Sequence, residues 1–284
     1  MSTRIDPSER WLRFSRRLYN SGMTAIDLDS FPLCRYFLSE YLANREDPTN
    51  FPPDQCPAIL KRYEEIFHSA LDPLKLEKEA LKSRSEFDFG HATPANLESG
   101  IAVLRAVAAL RLQQFSGIRL LDPPGADLRC DRDGRTVCCE VKSITKQSSP
   151  REGFFFADQV YEKILENIGR ARKQLEATAA KLGGAVKMFV CVSNWFDQAI
   201  YLTEQDYQYV VNRLEKDKLE GEDNYQESLK GIDAVFFVTK FGQVFWFVSD
   251  ELKASGFGGI QQTALSSTLS MQHYAFGHTG GRTL

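Results

Sequence analysis

Apolar residues in the middle of this chain recur with two different periods. Leu97, Ile101, Leu104, Ala108 and Leu112 form one stripe at helical spacing. Thr93-Pro94 stands just before it, a capping residue followed by a proline suited to the first turn. Gly117 closes that stretch, and residues 118–121 read as a short strand. Pro123-Pro124-Gly125 predicts a turn, and residues 126–130 and 136–144 predict two strands around Asp131-Arg132-Asp133-Gly134. Residues 145–156 carry Pro150, Gly153 and the run Phe154-Phe155-Phe156 and predict a loop. A long amphipathic helix over 157–182 follows, stopped by Gly183-Gly184, then a buried strand over 186–192. Thr203 and Asp206 open a further helix to about residue 219, and the polar segment 220–226 predicts a loop. Residues 234–239 and 244–248 predict a hairpin around Phe241-Gly242.

The flanks read differently. Trp11, Phe14 and Leu18, then Leu33, Phe37 and Tyr41, repeat at helical spacing, while four prolines between Asp47 and Pro57 force irregular backbone. Three regions are therefore expected: a helical N-terminal region over 1–90, a mixed α/β domain over 91–250, and a Gly/Ser-rich tail over 251–284.

Composition narrows the function. The 35 Lys and Arg against 38 Asp and Glu give a net charge of −3, which excludes a histone-like binder but leaves room for a local basic face. No apolar run approaches the eighteen or so residues of a membrane-spanning helix, so no membrane role is expected. The arginines at 4, 10, 13, 16 and 17 have no apolar block behind them, which is not the pattern of a secretory signal. The six cysteines form no CxxC pair, and adjacent Cys138 and Cys139 point to opposite faces of a strand. Buried free thiols, no zinc and a cytoplasmic location are expected.

The chemistry concentrates between residues 125 and 142. Asp-Gly between two β-rich runs is the strongest short hairpin signal. With Asp133 and Gly134 at the centre of the turn, Cys130 faces Val137 and Asp127 falls opposite Glu140. Opposed residues have Cβ atoms about 4.5–5.5 Å apart on one face, and Lys142, two residues on, shares that face. Two facing carboxylates repel unless a cation lies between them, and magnesium takes oxygen ligands of this kind while keeping waters for a substrate phosphate. The alternative is a hairpin in which Lys142 simply salt-bridges Asp127 or Glu140.

With these residues in place, the chain resembles the PD-(D/E)XK, or restriction-endonuclease-like, nuclease superfamily. Asp127 and Glu140-Val141-Lys142 match its motif, and helix, three strands, helix, strand over residues 93–193 match its core. The proline that precedes the Asp in that family is replaced here by Ala126. The resemblance implies an α/β fold with a mixed sheet flanked by helices, and a Mg²⁺-dependent nuclease, with Mn²⁺ as a substitute. It implies Asp127, Glu140 and Lys142 as catalytic residues, with Asp127, Glu140 and the Val141 carbonyl as metal ligands and Glu98 on the first helix as a further ligand. DNA is the expected partner, RNA stays open, and so does a homodimer or protein partner. The other class is a nucleic-acid-binding or assembly module that keeps the fold without turnover. On the long helix, Lys163, Asn167, Arg170 and Gln174 follow one edge of the apolar stripe, a spacing that suits phosphate and sugar contacts or a solvated face. Gln174 is followed four residues later by Thr178, not by the tyrosine that some exonuclease-like branches carry.

Overall fold

The structure, a computed structural model, describes residues 94–144, 157–193, 202, 204–239, 242–255, 257, 259–260 and 263–265. The expected N-terminal helices, the cap residues Thr93 and Thr203, the run 154–156 and most of the tail lie outside the described residues, as do Cys34 and Cys56.

The elements are α1 (Pro94–Leu112), β1 (Ser116–Leu120), β2 (Leu128–Arg132), β3 (Arg135–Ser143), α2 (Ala157–Leu182), β4 (Lys187–Ser193), α3 (Glu204–Glu220), α4 (Asp223–Leu229), β5 (Ala234–Val238), β6 (Gln243–Val248), α5 (Asp250–Ala254) and β7 (Thr263–Ala264). The strands form one seven-stranded sheet in the order β1-β2-β3-β4-β5-β6-β7. Strands β3, β4 and β5 run parallel, and the outer pairs on either side are antiparallel. The class is α/β, a mixed sheet flanked by helices. No described helix is long and apolar enough to cross a membrane.

Two cores follow from the period of two along the strands. On one face, Cys138, Val190, Val192, Val235 and Phe237 pack against Ile164, Ile168, Ala171 and Leu175 of α2 and Val210 and Leu214 of α3. The other face lies against α1, whose Arg105 donates to Ser193 Oγ at 3.1 Å and to the Thr239 carbonyl, and whose Ser99 hydroxyl lies 3.2 Å from that of Ser143. Phe115, Phe189 and Phe257 form an edge-packed aromatic group, with Trp246 stacked on Phe236 beside them. Cys130, Cys138, Cys139 and Cys191 are buried free thiols. Burial pushes the Cys138 thiol up to about 12 and raises those of Cys130, Cys139 and Cys191 as well.

The hairpin that matters for the site forms as its sequence dictates. Asp133 and Gly134 both have positive φ, 51° and 71°, the pair of values a type I′ turn requires. Arg132 pairs with Arg135, Cys130 with Val137 and Leu128 with Cys139.

Four local expectations are corrected. The buried band of α1 is wider than, and rotated from, the expected stripe: Ala102, Val103, Ala106, Val107, Ala109 and Leu110 are buried with Leu104, whereas Leu112 is 49% exposed. Strand β1 begins at Ser116 and takes Gly117 into an irregularity of its pairing. The polar segment expected as a loop contains helix α4, because Tyr225 and Leu229, four residues apart, anchor it in the core. Past residue 250 the chain forms the short helix α5, capped by Ser249, and contributes strand β7.

Candidate functional site

Continuing the β2–β3 register by one residue outward from Leu128 and Cys139 sets Asp127 opposite Glu140. Asp127 Oδ2 accepts the Val141 backbone N–H at 2.8 Å, so its carboxylate lies against the strand that carries Glu140 and Lys142. Glu140 is only 2% exposed, an unusual position for a carboxylate. Lys142 Nζ lies 2.6 Å from Glu140 Oε1 and also donates to Gln174 Oε1 at 2.6 Å. Strand β3 and helix α2 thus bring Glu140, Lys142 and Gln174 together, and the Asp127 carboxylate is held on the backbone of the same strand at Val141. Cys139, on the opposite side of β3, feels both carboxylates. Burial raises its thiol most, and Cys191, Cys130, Asp127 and Glu140 add to the shift.

The loop before Asp127 is fastened to α2. Thr178 Oγ1 accepts the Ala126 N–H at 2.7 Å and donates to the Gln174 carbonyl at 2.9 Å. Gln174 Nε2 donates to the Gly125 carbonyl at 3.4 Å, and Lys181 Nζ to that of Pro124 at 3.3 Å. Gly125 is needed here by proximity, since a Cβ would sit 2.7 Å from Thr178 Oγ1. The same bond gives a physical reason for Ala126: a proline has no N–H to donate to Thr178. Neither Thr178 nor Gly125 carries a signal of this role in the sequence, because the contact spans about fifty residues.

The other sequence-derived residues fall elsewhere. Lys163 and Arg170 both clasp Glu166 on the exposed face of α2, at i+3 and i+4, instead of turning toward Lys142. Those two cations, first among them Lys163, hold the Glu166 carboxyl below its usual range. Glu98 lies in α1, one residue before Ser99 and so near the end of β3, but its side chain is outside the described set.

The donors suit a hard cation. Two carboxylates on adjacent strands are the oxygen ligands that Mg²⁺ uses when it keeps waters and takes substrate phosphate for the rest of its shell. Among the described residues no group of three His, Cys, Asp or Glu side chains is placed to hold a metal ion. Comparison with protein-family models, curated proteins and solved structures found no match to this chain.

Proposed function

We propose that this chain is a Mg²⁺-dependent nuclease of the PD-(D/E)XK type, hydrolysing phosphodiester bonds of DNA. The observation that carries the reading is the buried Glu140 joined through Lys142 to Gln174, with Asp127 at the head of the paired strand. The order α1-β1-β2-β3-α2-β4 supports it, being the helix, three strands, helix, strand expected of that core.

In this reading Asp127 and Glu140 hold the ion, with Mn²⁺ as a substitute. The bound ion supplies a Lewis acid for the phosphoryl oxygen and a water of lowered pKa. Glu140 is fixed by its bond to Lys142, and Gln174 holds the ammonium from the other side. So placed, Lys142 offsets charge on an attacking hydroxide or on the phosphoryl group as it reacts. Thr178 and Gly125 fix the loop that delivers Asp127.

A second reading is a nucleic-acid-binding or assembly module without turnover. The 2.6 Å Lys142–Glu140 ion pair favours it, because a hairpin with no chemistry would make the same bond.

Incubation of the full chain with plasmid, linear DNA and RNA, with Mg²⁺, with Mn²⁺ and with chelator, separates the two. Metal-dependent cleavage is expected, falling at least about a hundredfold in Glu140→Gln and in Lys142→Ala with folding retained. Variants that cut like wild type overturn the assignment of roles, and a wild type that binds without cutting supports the module.

A further inference from the structure

Two pairs of arginines face each other in the β1-β2-β3 ribbon, and the fold treats them differently. Arg132 and Arg135 pair across β2 and β3. Arg132 lies over the Phe115 and Phe257 rings and ion-pairs with Asp133, while Arg135 donates to the Ser255 carbonyl at 2.5 Å and to its hydroxyl at 3.2 Å. Their charges are absorbed within the molecule.

Arg119 and Arg129 pair directly across β1 and β2. Arg119 is exposed and Arg129 half-buried, and among the described residues no carboxylate pairs with either. Like charges directly opposed on a sheet destabilise it unless something between them is negative.

Their position identifies the anion. Arg129 pairs with Cys138, which belongs to the α2-side core, so both arginines lie on that face of the sheet. Glu140 and Lys142 follow Cys138 at intervals of two and share the face, with Asp127 two residues before Arg129. Two residues of antiparallel strand span about 6.8 Å. The arginine pair therefore stands one row of the sheet away from the carboxylates, within about two nucleotides along a strand. Guanidinium groups bind phosphate oxygens in a paired fork, and two of them can close on one phosphate from both sides.

We infer that Arg119 and Arg129 form a clamp for one backbone phosphate of the nucleic-acid strand that runs over Asp127 and Glu140. The identity of the anion as a polynucleotide phosphate rests on the nuclease reading; the facing of the two arginines across β1 and β2 does not.

The test is binding of the full chain, in chelator so that no turnover occurs, to a duplex DNA, a single-stranded DNA and an RNA of equal length, over a series of salt concentrations. Arg119→Gln, Arg129→Gln and the double variant are each expected to weaken binding about tenfold. The double variant should be scarcely weaker than either single one, because both groups grip the same phosphate. The slope of log affinity against log salt should become shallower by about one contact in the double variant. Lys216→Gln on α3 should leave that slope unchanged. Thermal unfolding of the arginine variants should be unchanged or slightly raised, since repulsion between the pair is relieved.

A double variant with wild-type affinity and slope overturns the clamp, as does a wild type that binds none of the three ligands. If the variants weaken binding while the wild type cuts nothing in Mg²⁺, the clamp stands and the nuclease reading falls. If the wild type cuts and the double variant binds unchanged, the nuclease reading stands and the clamp falls.

Discussion

The β2–β3 and β5–β6 hairpins of this sheet are built alike but filled differently. β5 and β6 pair from Ala234–Val248 to Val238–Val244, and every residue of β5 is buried and apolar. β2 and β3 pair with equal regularity, yet the hairpin they form has Asp127 at its head and carries Glu140 and Lys142 where Val190 and Val192 stand on the neighbouring strand. The apolar hairpin shows what packing alone asks of these positions. A carboxylate in the core of such a sheet costs stability unless it is paired and hydrogen-bonded, and Glu140 is tolerated through Lys142 and Gln174. The difference separates the half of the sheet filled by packing alone from the half that buries a charged pair, where the proposed chemistry would lie.

Substitutions should divide along that line. Phe237→Ala, at a fully buried position of β5 against Tyr207 of α3, should cost about 3–5 kcal/mol of unfolding free energy in urea titration. A loss under about 1 kcal/mol would show that this half of the sheet does not hold the fold by packing. Ala126→Pro acts on the loop that delivers Asp127. It removes the N–H donated to Thr178 and should cost about 1–2 kcal/mol, seen as a lower midpoint in the same titration. A neutral or stabilising result would mean that the Thr178 bond does not fasten the loop.

What could be read in advance divides in a similar way. The β2–β3 register was legible because Asp133-Gly134 admits one turn geometry, and that turn sets every pairing after it. Gln174 could be placed on the correct edge of α2 by spacing, but its bond to Lys142, 32 residues away in sequence, is a product of packing. For Lys163 and Arg170 the spacing leaves substrate contacts and a solvated face equally open, and Glu166, three residues after the first and four before the second, forms helix ion pairs with both. The buried face of α1 is rotated from the apolar stripe for a different reason. Residues 101–110 are apolar on nearly every side apart from Arg105, and Arg105 is itself fully buried, so periodicity had no polar face to set against the core. Helix α4 leaves no periodic signal, because two buried anchors in a polar segment are too few to show one.

The central claim is that Asp127 and Glu140 together hold one divalent cation beside Lys142. Mn²⁺ binding to the full chain, followed by calorimetry and by the loss of the free-ion electron paramagnetic resonance signal, tests it without requiring turnover. One ion per chain is predicted for the wild type, with binding weakened about tenfold or more in Asp127→Asn and in Glu140→Gln. Mn²⁺ uptake that is absent from the wild type, or undiminished when both carboxylates are replaced, would contradict it.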